Sequence, residues 1–179
     1  VEAPVGRLGA LCCWEHLQPL ARHALALQHE QIHVAAWPAL SMGRDRRYTI
    51  GPQMTASINQ VFAVESGCFV VAPTGLLDAE AIEMLCDSSE KRGILGVVGR
   101  QAAGGSAMIY GPDGSPLAEP LPEDEEGIVY ADVDLEALLM AKRSIDTVGH
   151  SARPDVLRLT IDRRPMPTVS GYSRFNAKT

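Results

Sequence analysis

The chain has 179 residues, of which 46% are hydrophobic, 21% charged and 5% aromatic. These proportions are typical of a globular domain and exclude a disordered or fibrous chain. The formal net charge of -6 at pH 7 argues against a general nucleic-acid binder. No apolar run reaches the ~20 residues needed to cross a bilayer, so no membrane association is expected.

The N-terminus and the cysteines indicate the cellular context. The sequence starts at Val1 with neither an initiator methionine nor a signal-peptide pattern, so we expect an internal start. The cysteines, Cys12, Cys13, Cys68 and Cys86, show no C-x-x-C spacing. They predict reduced thiols in a cytoplasmic protein.

The first part of the chain predicts two strand–helix–strand units. Short apolar, β-branched segments alternate with segments whose apolar residues recur at helical spacing. In chain order these are a strand over 6–13, a helix over 15–31, a strand over 32–37, a helix over 51–66 and a strand over 68–72. A polar loop over 41–48 interrupts the second unit. Two such units favour an α/β layered fold.

The second part of the chain is less regular. It predicts a short helix over 78–86, a hairpin around the Gly111–Gly114 turn, an acidic loop over 119–126 and a strand over 128–133. Asp134 is placed to cap a helix that runs to about Ile145. The proline-containing remainder predicts an extended basic tail.

One motif suggests a metal site. The residues from His29 to His33 satisfy H-E-x-x-H, in which two histidines one helical turn apart bind zinc and Glu30 acts as a base. That geometry needs an unbroken helix, whereas residues from Ile32 onward have strand character. We keep a zinc hydrolase as a remote alternative and expect a helix end followed by a strand start, with no metal.

A run of spaced glycines raises the question of a dinucleotide-binding site. Gly93, Gly96 and Gly99 are spaced G-x-x-G-x-x-G, which lacks the G-x-G-x-x-G spacing of dinucleotide-binding loops. We expect a mobile loop and no cofactor.

The segment Cys12-Cys13-Trp14-Glu15-His16 lies where the first predicted strand meets the first helix. A cysteine at a helix N-terminus is biased towards the thiolate, and a sharp strand-to-helix turn exposes its side chain as in a nucleophile elbow. The backbone N–H of the following residue, Trp14, then points at a developing oxyanion. Considered alone, the segment fits a buried structural cysteine better.

The order of motifs around this segment resembles the nitrilase branch of the carbon–nitrogen hydrolase superfamily. The central match is a C-W-E motif in which Cys13 is the nucleophile and Cys12 is the strand residue before it. Further matching segments follow in order over residues 30–38, 67–73, 105–114, 127–134 and 153–155. The resemblance covers essentially the whole chain and also accounts for the H-E-x-x-H match.

The resemblance implies the second half of a four-layer α-β-β-α sandwich. Residues 1–145 would be the C-terminal half of the nitrilase domain, and residues 146–179 a basic tail. It implies that Cys13 attacks a small-molecule nitrile to give a thioimidate and then a thioester, releasing ammonia and a carboxylic acid without metal or cofactor.

The family's base glutamate and its lysine lie upstream of the cysteine. Here only twelve residues precede Cys13; they contain no lysine, and Glu2 is their only acid. We therefore expect this chain to be inactive alone and to need the N-terminal half of the enzyme as its partner.

The remaining site residues are implied by the same resemblance. Glu15 would support the nucleophile, and substrate would contact Trp14, His16, Trp37 and Pro38. The class of nitrile stays open. The alternatives are an amidase or cyanide-degrading enzyme of the same superfamily, or a non-catalytic assembly subunit.

Charge is unevenly distributed along the chain. Residues 1–141 carry 8 basic and 19 acidic side chains, and residues 142–179 carry 8 and 3, which gives net charges of -11 and +5. A basic tail beside an acidic body predicts a subunit contact, and family resemblance implies a homo-oligomer, either a dimer or a larger spiral.

Overall fold

The computed structural model describes residues 1–39, 51–95 and 104–164 and contains one sheet with helices packed on it. The strands are β1 (Glu2–Ala3), β2 (Gly6–Cys12), β3 (Ile32–Ala36), β4 (Phe69–Ala72) and β5 (Met108–Tyr110). The helices are α1 (Pro19–Ala26), α2 (Pro52–Ser66), α3 (Ala79–Leu85), α4 (Ser89–Leu95) and α5 (Ala137–Ser144), and a 3₁₀ helix spans Cys13–Leu17.

The strands lie in sequence order across the sheet. β2, β3 and β4 are parallel to one another, and β1 and β5 pair antiparallel at the two edges. The register of the parallel strands places Cys12 opposite Ala36. The carboxyl ends of the three central strands therefore meet at one edge of the sheet, the usual place for a ligand site in such folds.

One face of the sheet forms the core with α1 and α2. Ala35 of β3 and Val70 of β4 are fully buried there against Phe62 of α2. Because strand side chains alternate between faces, the neighbouring residues on each strand point to the opposite face.

That opposite face is apolar and only partly covered. Leu8, Val34 and Val71 are only partly buried, and Ala10 is exposed, although the register aligns them in rows across β2, β3 and β4. Parallel sheets are normally covered on both faces. The described residues thus supply one sheet and one helical layer, with a face suited to pack against a second sheet.

The first predicted helix is broken into two parts. The 3₁₀ helix ends at Leu17, Gln18 is extended, and Pro19 begins α1. A proline is favoured at the first helical position, where its missing N–H costs nothing. α1 ends at Ala26 and not near Gln31, because His29 adopts a left-handed conformation with φ of +53°.

The predicted strand over 128–133 is wrong. This segment has no regular structure, and its side chains Ile128 and Tyr130 are 72% and 78% exposed. Its alternating pattern is strand-like, but no strand among the described residues pairs with it. The predicted hairpin is confirmed in part: β5 is followed by the turn and a single antiparallel bridge from Tyr110 to Pro116.

The glycine-rich segment also differs from its prediction as a loop. Gly93 lies inside α4, a helix that the sequence pattern does not predict. Gly96, Gly99 and the polar loop over 41–48 lie outside the described residues.

The basic tail begins against the body of the protein. The Thr147 hydroxyl donates to the Glu65 carbonyl at the end of α2. Further along, Arg153 and Arg164 form exposed ion pairs with Asp155 and Asp162, which neutralise part of the positive charge locally. No helix in the described part of the chain is long and apolar enough to span a membrane.

Gly67 ends α2 in the left-handed region, with φ of 56° and ψ of 48°. We expect Gly67→Ala to lower the free energy of unfolding by about 1–2 kcal/mol, because an L-residue is strained there. Gly93→Ala is the matched control: beyond its own helix backbone and chain neighbours, a methyl group at Gly93 would meet no atom of the described residues within 4 Å, and alanine should raise helix stability by about 0.5–1 kcal/mol. Urea titrations followed by circular dichroism measure both; equal effects would contradict the assignment of strain to Gly67.

Candidate active site

The candidate nucleophile lies at the turn between β2 and the 3₁₀ helix. Cys13 has φ of +47°, one of three positive values among the described non-glycine residues. Non-glycine residues adopt this conformation at an energetic cost, and such strain is concentrated at functional sites. The turn is therefore sharp, as a nucleophile elbow requires, and the Cys13 side chain is partly exposed.

Glu15 stabilises this turn. Its Oε2 atom accepts a hydrogen bond of 2.6 Å from the backbone N–H of Cys12. The carboxylate is exposed and lies in the first turn of the 3₁₀ helix, where a negative charge is favourable. In the structure Glu15 therefore supports the backbone on the strand side of Cys13.

Trp14 presents an available backbone donor. It lies in the first turn of the 3₁₀ helix, where N–H groups have no partner within the helix. Its indole is 50% exposed and is free to contact a molecule bound beside Cys13.

Trp37 and Pro38 lie at the same edge of the sheet as Cys13, just after the end of β3. They line a cavity of about 390 Å³ together with Asn59 and Tyr110. Trp37 is 4% exposed, and its indole Nε1–H donates to Asn59 Oδ1 at 3.1 Å. The two residues form the wall of a cavity, which is compatible with the predicted substrate contact; that contact stays a prediction.

His16 is placed differently from its prediction as a substrate-binding residue. The side chain has no exposed area. Its Nδ1 lies 2.7 Å from the Cys13 carbonyl oxygen and its Nε2 lies 2.9 Å from Nε2 of His33. Both ring nitrogens thus have hydrogen-bond partners and the ring stacks against Trp37, so in the described part of the chain His16 is enclosed by protein atoms.

Burial also sets the charge of His16. Desolvation disfavours the imidazolium and, helped by nearby His33, lowers the pKa of His16 from 6.5 to about 4, although the Cys13 carbonyl opposes the shift. His16 is therefore neutral at neutral pH.

Two buried residues that sequence reasoning did not assign to the site extend this network. His33 of β3 has its Nδ1 3.0 Å from Oε2 of Glu30, and both side chains are almost completely buried. The available signal was the H-E-x-x-H match itself, which placed a carboxylate and a histidine three residues apart on a segment next to the nucleophile.

The same geometry removes the basis of the zinc alternative. α1 ends at Ala26, before the motif begins, and His33 belongs to a strand, so His29 and His33 do not share a helical face. No group of three or more potential metal-ligating side chains occurs within residues 1–39, 51–95 and 104–164. The expected helix end and strand start are confirmed.

Sequence comparison identifies relatives of this chain. The carbon-nitrogen hydrolase family model matches residues 1–143. A nitrilase of Pseudomonas syringae pv. syringae (strain B728a) is 53% identical over 168 residues, which cover 94% of this chain and 48% of that protein. An aliphatic nitrilase of Rhodococcus rhodochrous is 45% identical, with 94% and 45% covered. The chain thus spans about half the length of the curated relatives it matches.

Solved structures show the same fold. A carbon-nitrogen hydrolase from Helicobacter pylori G27 superposes with a TM-score of 0.62 at 21% identity, over 87% of this chain and 49% of that one. The NitFhit protein of C. elegans gives a TM-score of 0.59 at 18% identity, over 94% and 34%. With the family match and the nitrilase relatives, this fold shows that the chain belongs to the carbon-nitrogen hydrolase family, on its nitrilase branch.

Proposed function

We propose that this chain carries the nucleophile of a nitrilase, which hydrolyses a nitrile to a carboxylic acid and ammonia. The observation that carries the proposal is the strained turn at Cys13, with φ of +47° inside the C-W-E motif. The nitrilase relatives, up to 53% identical in the matches above, support the reaction type.

In the proposed reaction the Cys13 sulfur adds to the nitrile carbon and the nitrogen is protonated, giving a thioimidate. Water adds to this carbon and ammonia leaves, giving a thioester. A second water displaces the sulfur, releasing the acid and regenerating the thiol. The backbone N–H of Trp14 would stabilise the negative charge that develops during these additions, and Glu15 would hold the turn.

We infer that the base and the stabilising cation come from the N-terminal half of the enzyme. Both lysines in the described part of the chain lie elsewhere: Lys91 pairs with Asp87 in the α4 region, and Lys142 contacts the Ser66 carbonyl. Coverage of only 48% of the Pseudomonas syringae relative leaves room for such a segment. The open sheet face over β2, β3 and β4 supplies an apolar surface on which it would pack.

We assign substrate recognition to the carboxyl ends of the strands, where the cavity lined by Trp37 and Pro38 lies. The exposed Trp14 indole and the cavity wall of Trp37 and Pro38 suit the apolar body of a nitrile. His16 is left out of this assignment because it is buried.

Two further features belong to the proposal. The basic tail, with Val156 and Leu157 64% and 71% exposed, would contact another subunit of a homo-oligomer, in a dimer or a larger spiral. Four unpaired cysteine thiols suit a reducing compartment, and we place the enzyme in the cytoplasm.

We predict that Cys13→Ser in the complete enzyme lowers kcat for nitrile hydrolysis by at least about 1,000-fold, because the hydroxyl is a much weaker nucleophile at neutral pH. Cys12→Ser is the matched control: Cys12 is the exposed last residue of β2, adjacent to the candidate nucleophile in sequence, and its variant should stay within about 2-fold of the wild type. Ammonia release from a panel of aromatic, arylaliphatic and aliphatic nitriles measures both variants.

The same assay separates the alternatives. Amides and cyanide are included as substrates, and a preference for either would redirect the assignment within the family. Retained activity in Cys13→Ser, or loss of activity on adding a chelator, would overturn the thiol mechanism. An inactive complete enzyme with correct folding would favour an assembly subunit.

We predict that the chain of 179 residues is inactive alone and gains activity when the N-terminal half is added as a separate polypeptide. Val34→Glu should reduce this complementation by about 100-fold or more, since it puts a charge on the open sheet face that must be buried. Met84→Glu, at a position 73% exposed on α3, is the matched control and should leave complementation unchanged. Nitrile turnover by the isolated chain would contradict the two-half proposal.

A further inference from the structure

A chain of buried hydrogen bonds runs from Glu30 through His33 and His16 to the backbone carbonyl of Cys13. The successive distances are 3.0 Å, 2.9 Å and 2.7 Å. The exposed fractions of the three side chains are 4%, 0% and 0%. The proposed reaction assigns no role to these three side chains. Their series of hydrogen bonds nevertheless ends on Cys13, the residue that carries the nucleophile.

The direction of every proton in this chain follows from its two ends. The Cys13 carbonyl oxygen only accepts, so Nδ1 of His16 carries hydrogen. A neutral imidazole has one N–H, which leaves Nε2 of His16 as an acceptor and requires Nε2 of His33 to donate to it. One proton then lies between Nδ1 of His33 and Glu30, on either atom. The Nε2–H of His33 and the Nδ1–H of His16 therefore both point from Glu30 towards Cys13.

The surroundings hold the chain in place. A side chain at Gly9 would overlap the Glu30 carboxylate, so the glycine makes room for it beside β2. The His33 ring lies 4.0 Å from that of Phe62, and the His16 ring stacks on Trp37 at 5.1 Å. Glu30 Oε1 has no hydrogen-bond partner among the described residues. Burying a carboxyl group with one oxygen unsatisfied is costly, so packing alone does not account for this arrangement.

The accepting carbonyl belongs to the same peptide group as the N–H of Trp14. A hydrogen bond to a peptide oxygen fixes the peptide plane and makes its N–H a stronger donor. We propose that Glu30, His33 and His16 are positioning residues that orient and polarise the Cys13–Trp14 peptide, so that the Trp14 N–H is aimed at the anion formed at Cys13. This inference rests on the proposed function, in which that N–H is the oxyanion donor.

The kinetic test compares two replacements of His16 in the complete enzyme. His16→Asn keeps an N–H near the position of Nδ1 and should retain kcat within about 5-fold. His16→Leu has no donor and should lower kcat by about 10- to 100-fold, with KM within about 3-fold, because the lost interaction acts on the transition state. His23→Leu on α1 is the control, because it makes the same substitution at a histidine outside this series of hydrogen bonds. Its kcat should match that of the wild type. Equal kcat in the Asn and Leu variants would overturn the positioning role.

Glu30 offers an independent comparison. In Glu30→Gln the new amide N–H can donate to Nδ1 of His33, which keeps the His33 proton on Nε2, where it donates to His16. Leucine in Glu30→Leu has no donor. We expect the Gln variant to keep kcat within about 5-fold and the Leu variant to lose about 10-fold or more. If His16→Leu fails to fold, this pair decides the question; equal kcat values would count against the proposal.

Nitrogen-15 NMR of the histidine rings tests the chain without any substrate. At pH 7 we expect neutral His16 protonated at Nδ1, with His33 carrying hydrogen on Nε2. His16 should stay neutral to about pH 5, as its pKa of about 4 implies, with His33, Glu15 and Arg22 as the charged or titratable groups that influence it. A His16 ring protonated at Nε2 would contradict the proposed hydrogen-bond arrangement, whether or not the enzyme hydrolyses nitriles. A failure of this inference is therefore distinct from a failure of the proposed function.

Discussion

The pairing of β2 with β3 is the constraint on which the candidate site depends. The parallel register aligns Cys12 with Ala36, so the residues immediately after the two strands, Cys13 and Trp37, come to the same edge. It also aligns Gly9 with His33, and the Glu30 carboxyl group lies over Gly9, where a side chain would overlap it. A shift of one residue would turn His33 to the open face and separate it from His16.

The turn at Cys13 illustrates how strain and support are combined. A left-handed conformation at a non-glycine residue is unfavourable, and several contacts hold it. Glu15 binds the backbone before the turn, and His16 binds the carbonyl of the strained residue itself. A rigid elbow costs stability in the folded protein but removes the need to reorganise the backbone when a substrate binds.

Much of the fold could be predicted because local signals and tertiary packing agree. Over β2, β3, α2 and β4 the apolar spacing, Gly51-Pro52 and Gly67 all point to the same boundaries. The strand expected over 128–133 failed because an alternating pattern becomes a strand only with a hydrogen-bonding neighbour. The single helix expected over 15–31 failed because the helical spacing of leucines continues across the break at Gln18 and Pro19.

The candidate site was predictable only as far as the backbone turn and the family motif determine it. Cys13, Trp14 and Glu15 are adjacent in sequence, so a motif is sufficient to find them. The buried chain joins residues 17 positions apart through two histidines, and nothing in a linear pattern distinguishes a histidine that faces a cavity from one enclosed by Trp37 and Phe62.

The partly covered apolar face has a consequence for the proposed enzyme, which could be encoded as one polypeptide or as two. Within a single polypeptide, a tethered N-terminal half would meet this face at an effective concentration of about a millimolar, so a modest intrinsic affinity would suffice. If the halves were produced as separate chains, the same affinity would leave most copies uncovered at cellular concentrations. In the proposed two-half enzyme, continuity of the polypeptide would keep this apolar surface occupied from the moment it folds.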